Sequence, residues 1–238
     1  MQSVYQINTI LFIMKRLLKP IFLIPAIISC ITLSASAQND VADTRPMWGI
    51  KAAFDVNIPG KWHGDAGSVS MFRHGFGATF GAVYNIYLGK SFYIEPGASL
   101  FYDSYSYKNL VISGDAGNII EEDPSLYKLG IRIPVVVGYS FSISDNFAML
   151  VYTGPELSYA FTGDIKIKDS ELQHSSDISL FGEYGTQRRV DCAWKVGVGF
   201  PVNQWLVSIE AAIGMTDLLK SGMSFRENRC SVALTRYF

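Results

Sequence analysis

Residues 126–141 read LYKLGIRIPVVVGYSF. In an extended chain successive side chains point to opposite sides. Tyr127, Leu129, Ile131, Ile133, Val135, Val137 and Tyr139 therefore share one face, and Lys128, Gly130, Arg132, Pro134, Gly138 and Ser140 share the other. The segment is long for a strand of a soluble protein. Its second face is no ordinary solvent surface either, since it sets glycines beside lone cations. Small residues with isolated charges suit the inside of a narrow closed barrel, where opposite walls share little space, and the apolar face then meets lipid.

Seven more segments, 48–56, 76–88, 92–103, 147–161, 190–200, 205–213 and 230–238, place apolar or aromatic residues at every second position. Their opposite faces hold Lys51, Asp55, Glu95, Asp103, Glu156, Asp191, Lys195 and Glu210 among small residues. An isolated charge in a low-dielectric lumen is costly. A structural charge network of Lys51, Asp55, Glu95, Lys128, Arg132, Glu156, Asp191, Lys195 and Glu210 is therefore expected, paired across neighbouring strands. Arg132 or Lys128 is expected against Glu95 or Glu156, and Lys195 against Glu210 or Asp191. Trp48, Tyr102, Tyr127, Tyr139, Phe147, Phe161, Phe200 and Trp205 end the runs where interfacial aromatic girdles belong.

The connections alternate in length. Short turns near Gly89-Lys90, Ser142 to Asp145 and Val202 to Gln204 alternate with long connections at about 57–75, 104–125, 163–189 and 215–228, the signature of a transmembrane barrel. The predicted fold is all-β: an eight-stranded antiparallel transmembrane up-and-down β-barrel over 47–238. Its termini and short turns would lie in the periplasm, its long loops outside the cell, and the whole in the outer membrane.

The 49% hydrophobic content would suit a soluble protein, yet only every second residue of a barrel strand must be apolar, so lipid exposure hides in the average. Lys plus Arg is 20 against 21 Asp plus Glu, with no basic excess to draw nucleic acid. Past the N-terminus no stretch approaches the roughly 18 uncharged apolar residues of a spanning helix, which excludes a helical bundle. Met14-Lys15-Arg16, the apolar run from Pro20 to Leu33 and Ala35-Ser36-Ala37 together form a secretory signal peptide over residues 1–37. The expected true start is Met14, and 38–46 form a short periplasmic segment. Ile27-Ile28-Ser29-Cys30 is a loose lipobox, so a lipoprotein signal with lipidated Cys30 is the competing reading. Loss of Lys15, Arg16 and Lys19 takes 20 basic residues to 17 against 21 acidic ones. Cys192 and Cys230 fall in segments that a third one separates. Two strand spacings of about 4.8 Å exceed the reach of a disulfide, so both are expected to be unpaired.

The mature chain resembles the PorT-like outer-membrane β-barrel family of Gram-negative bacteria. The resemblance is carried by LYKLGIRIPVVVGYSF (126–141), FAMLVYTGPELSYAFTGD (147–164), DCAWKVGVGF (191–200) and IEAAIGMTDLL (209–219). It implies an eight-stranded barrel. A few members of that family take part in protein secretion and most have no assigned activity. The terminal Phe238, with apolar residues at every second position back to Val232 except Arg236, is similar to the signal read by the barrel-assembly machinery. Arg236 departs from that pattern at a position where it can snorkel to the interface.

No spacing motif marks a catalytic, cofactor-binding or metal site. His63, His74 and His174 lie in the long connections; His74 beside Ser70 and Asp65, or His174 near Ser175, Ser176 and Asp177, would be the raw material of a lipid-modifying enzyme. The favoured role is non-enzymatic: a scaffold or interaction protein accessory to secretion or envelope organisation. Its expected partners are outer-membrane lipid, the assembly machinery and an envelope or secretion protein. A small pore or small-ligand barrel is the alternative. Trp62, Phe72, Phe181 and Tyr184 would either stand out as aromatic anchors for a partner or pack the loops onto the rim.

Overall fold

The computed structural model describes residues 47–64, 67–70, 72–89, 91–107, 110–113, 119–122, 124–144, 147–168, 175–182, 185–220 and 224–238. The signal peptide with Met14 and Cys30, the 38–46 segment, Asp65, His174 and Tyr184 lie outside them. Eight long strands build the wall: β1 (Met47–Pro59), β4 (Gly75–Gly89), β5 (Phe92–Ser106), β8 (Ser125–Ser144), β9 (Phe147–Lys168), β11 (Val190–Val202), β12 (Trp205–Gly214) and β13 (Glu227–Tyr237). Five short ones decorate one end: β2 (Trp62–Gly64), β3 (Gly67–Val69), β6 (Leu110–Ser113), β7 (Ile119–Glu122) and β10 (Ser175–Ser179).

The long strands pair antiparallel in chain order, and β13 returns to β1 from Gly49↔Tyr237 to Pro59↔Glu227, so the sheet closes on itself. The register is staggered: Ala52 faces Phe80, Phe80 faces Leu100, Leu100 faces Ile131, Ile131 faces Tyr159 and Tyr159 faces Val190. A path straight across the strands thus climbs from the middle of β1 to the first residue of β11, the tilt that a closed barrel requires.

The period of two divides the side chains as the alternation requires. Trp48, Phe54, Phe80, Leu100 and Ile209 are each more than half exposed on the outside, while Lys51, Asp55, Arg132, Glu156 and Glu210 are buried within. From Trp48 to Ile58, at about 3.3 Å per residue and a tilt near 40°, the apolar face rises about 25 Å, the height of the hydrophobic band of an outer-membrane barrel. Aromatic pairs bracket it: Trp48 on Tyr84 (4.6 Å between centroids) and Phe92 on Tyr139 (4.7 Å) near the short turns, Tyr102 on Tyr127 (6.0 Å) and Tyr159 on Phe161 (5.8 Å) toward the long loops. This is a membrane-spanning surface. With every backbone ladder bond made between strands of a closed sheet, the barrel presents no open edge to hydrocarbon.

Two features differ from the reading of the sequence. The long connections are partly folded: β2 pairs β3, β6 pairs β7, and β9 runs on to Lys168 to pair β10. The wall is also uneven, because β8 and β9 pair as far as Ser125↔Lys166, whereas the β11–β12 ladder ends at Ala193↔Gly214. At the opposite end the turns are tight, and the left-handed φ of Asn203 (56°) closes the two-residue turn into β12. Cys192 and Cys230 are free, on β11 and β13 with β12 between them.

Candidate functional site

The lumen is filled in three layers. Its middle is ionic. The Arg132 guanidinium reaches Asp55 at 2.9 Å and Asp103 at 2.5 Å, donates to Thr79 Oγ1 at 2.7 Å, and lies 4.0 Å from Glu156. Lys195 bridges Glu156 (2.6 Å) and Glu210 (3.3 Å), and Lys51 donates to Glu210 as well. Arg229 binds Glu156 at 2.5 Å and approaches Asp55 at 3.8 Å, while Lys128 pairs with Glu227 at 2.5 Å. Each charge in this chain has an opposite charge within reach, the condition under which ions are tolerated away from water.

Among the expected pairs, Arg132 with Glu156 and Lys195 with Glu210 are brought together. Glu95 is not brought to Lys128 or Arg132: it is buried lower in the lumen, where Tyr237 Oη donates to it at 2.5 Å and Asn85 Nδ2 at 3.5 Å. Asp191 forms no ion pair with Lys195, because it lies near the loop end, and its Oδ1 has no hydrogen-bond partner among the described residues. Pairing across neighbouring strands holds for Arg132 with Asp103 and Glu156 and for Lys195 with Glu156 and Glu210, but other pairs cross the bore. Arg132–Asp55, Arg229–Glu156 and Lys128–Glu227 join strands that are not adjacent in the sheet. Long side chains reach across the bore because the facing wall is only an eight-strand diameter away.

An eighth segment that begins at Cys230 leaves out Arg229 and Glu227. Stepping back by twos from Ser231 reaches both, and the alternation alone places them inward.

Below the ionic layer, toward the short turns, Tyr93, Val136 and Tyr152 form an apolar layer with Tyr87 and Leu150 packed against it. Two glycines make room for its rings. A Cβ at Gly138 would sit 2.2 Å from Tyr93 Cζ, and one at Gly197 would sit 2.4 Å from the Tyr152 ring. Tyr152 Oη donates to Glu210 at 2.6 Å, tying this layer to the ions.

Above the ions, the loop end is stoppered. Inward residues of the rim, Phe101, Tyr105, Leu126 and Ala160, meet loop residues Phe72, Leu180, Phe181, Leu218, Leu219 and Phe225 in one buried apolar cluster. Phe72 stands at its centre, 5.2 Å from the Phe225 ring, 5.5 Å from Tyr105 and 4.5 Å from Tyr107. Burial in this cap, outside the spanning strands, pushes the Tyr107 phenol up to about 12. Phe72 and Phe181 are buried and Trp62 is partly buried against them, so of the two readings of these aromatics the structure has rim packing and not free anchors. The cap is stitched to the ions: Arg132 stacks on the Phe101 ring at 4.1 Å and Tyr105 Oη donates to Glu227 at 2.5 Å.

Small cavities among the described residues, one of about 40 Å³ and one of about 10 Å³, interrupt the filling. The larger is lined by Asp191, Arg132 and Arg229 and reaches Arg188 and Arg189 of the rim. It is wide enough for ordered water and too small for a metabolite. His63 is exposed, its Nδ1 at 2.9 Å from the Lys61 carbonyl, and His74 is exposed just before β4. Among the described residues no group of three or more His, Cys, Asp or Glu side chains could hold a metal ion.

No protein-family model matches the chain, and no curated protein matches it in sequence. Solved structures are similar to it in fold. The attachment invasion locus protein Ail of Yersinia pestis, in complex with a heparin analogue, is similar with a TM-score of 0.43 and 10% identity, over 82% of this chain and 99% of Ail. Neisserial surface protein A gives 0.42 and 16% over 80% and 97%, and OprG of Pseudomonas aeruginosa gives 0.42 and 10% over 82% and 97%.

Proposed function

We propose that the chain is a non-enzymatic outer-membrane barrel with a closed lumen, working as a scaffold or interaction protein through its outward loops and its lipid-facing wall. The observation that supports this best is the filling of the bore: an apolar layer at the turn end, a compensated ionic layer, and an aromatic cap at the loop end. A conduit would need a continuous polar path, which the apolar layer and the cap interrupt. The apolar belt supports residence in a membrane, and the long segments quoted above support kinship with PorT-like barrels and hence a role beside protein secretion or envelope organisation.

Planar bilayer recording on the refolded full chain tests the closed lumen. We expect a flat baseline in 1 M KCl, and stable, reproducible unitary steps would show an open pore instead.

A further inference from the structure

The outward apolar face of the wall does not end at one depth. Ala52, Phe80, Leu100 and Ile131 lie straight across β1, β4, β5 and β8. At a tilt of about 40° each step across climbs about 3 Å toward the loops, and each residue along a strand about 2.5 Å. Trp48 lies four residues below Ala52 and Tyr139 eight below Ile131, which brings their rings level. Trp205, reached from Ile50 through Arg236, stands at the same line. On one side the apolar face continues below it. Phe141 and Ile143 lie about 5 and 10 Å beneath Tyr139 on β8, and Leu88 of β4 about 7 Å beneath Trp48. The three are 44%, 58% and 61% exposed. On the far side the turn into β12 is made by the exposed Asn203 and Gln204 instead.

Above this apolar skirt the same face is shaped. Ala82 and Ala98 stand directly opposite each other on β4 and β5, both exposed, with Pro96 next below on β5. Beside this shallow trough Ile133, Val135 and Val137 of β8, all exposed, form a ridge. By the same rise per residue, ridge and trough lie within about 5 Å of one depth. No outward residue from Phe92 to Tyr102 on β5 or from Leu129 to Ile143 on β8 is charged.

Depth decides what can cover this face. The headgroup layer on each side of a bilayer is about 5–7 Å deep, so acyl chains that end at the tryptophan line do not reach Ile143. What fits is an apolar wall turned sideways at the same depth, and a second copy in the same membrane carries one by construction. A two-fold axis along the membrane normal keeps every residue at its depth. It sets the β8 ridge of each copy over the β4–β5 trough of the other, the reciprocal contact that an isologous interface requires. Small residues in the trough let the backbones approach. The tilted strands of the facing walls then cross at about 80°, near the orthogonal class of sheet packing. Association also removes apolar surface from a depth that the bilayer fits poorly.

We propose that two copies of this chain pair through the β4–β5–β8 face, the ridge of each seated in the trough of the other and Phe141 and Ile143 of one copy covered by Leu88 of the other. The pairing rests on the membrane reading given above and names a first partner for the scaffold.

The test uses the full chain carrying Cys192→Ser, Cys230→Ser, Leu88→Cys and Ile143→Cys, refolded into phosphatidylcholine vesicles and oxidised. Within one copy positions 88 and 143 stand on β4 and β8 with β5 between them, beyond the reach of a disulfide. Any disulfide formed therefore joins two copies, and a covalent dimer is expected on denaturing gels. Chains with only one of the two new cysteines should stay monomeric. So should the wild type, whose exposed Cys230 lies on the far wall. Ala98→Trp, which fills the trough, should lower the dimer yield about tenfold, and Ala211→Trp on the far wall should leave it unchanged. An inserted double-cysteine chain that remains monomeric overturns the pairing, the leaflet then covering the skirt alone. A yield unchanged by Ala98→Trp also overturns it, in favour of contact through another wall. Should Ala98→Trp fail to insert, Phe141→Ser below the wall takes its place, and an unchanged yield there has the same meaning. Heat-modifiable migration reports insertion separately, so a parent chain that never inserts fails the membrane reading, and the pairing with it, in a distinguishable way.

Discussion

Arg132 shows how much one side chain can carry in a lumen this narrow. It faces Asp55, Asp103 and Glu156 and supports the Phe101 ring, so its loss leaves carboxylates buried without their shared partner. Removing one member of a buried ionic cluster typically costs about 3–5 kcal/mol. We expect Arg132→Met to lower the stability of the refolded barrel by that order in urea titrations. Adding Asp103→Leu should return part of it, since one of the stranded charges is then gone; a double variant no more stable than the single one would show that the loss arises elsewhere. Gly138 makes the complementary point about space. The Tyr93 ring occupies the place of its missing side chain, and Gly138→Ala should cost about 1–3 kcal/mol by overpacking, read in the same titration. Replacing Tyr93 by Leu in the Gly138→Ala background should relieve the clash.

At the scale of elements, the strands and the loops differ in what holds them. A strand is fixed by ladders on both sides, whereas the loop-end segments depend on a common apolar cap centred on Phe72 and Phe225. Phe225→Ala should cost about 3 kcal/mol or more locally and release the loops while the wall stays paired. Added protease should then cut the loops of Phe225→Ala faster than those of wild type, with the β-sheet circular dichroism unchanged; equal cleavage rates would mean that the cap does not anchor them. The same contrast explains what could be read in advance. Eight runs of period two reveal the strands and turn Lys51, Asp55, Arg132 and Glu156 inward, because alternation is a local property. Partners on adjacent strands, such as Lys195 and Glu210, follow from the same alternation, whereas Lys128 meets Glu227 only through the barrel's stagger and diameter, which no local pattern carries. Phe72 and Phe225 sit in aperiodic loops, where nothing in the sequence distinguishes an exposed anchor from the centre of a cap.

For the whole molecule, closure joins the first strand to the last, and the chain end is built into that seam. The Phe238 amide donates to the Trp48 carbonyl at 2.8 Å, Tyr237 reaches through the lumen to Glu95, and the Phe238 side chain remains exposed beside Arg236. One backbone bond and one exposed ring are a small part of a barrel held by eight ladders, so deletion of Phe238 should leave the refolded protein's stability within about 1 kcal/mol of wild type. The sequence-based expectation that the assembly machinery reads Phe238 concerns insertion instead, and it can be separated from stability. The expected outcome is a division between two measurements: near-normal urea midpoints for the purified variant in vitro, and several-fold less heat-modifiable barrel in the outer-membrane fraction of cells. If both fall together, Phe238 acts through stability; if neither falls, assembly reads another part of β13.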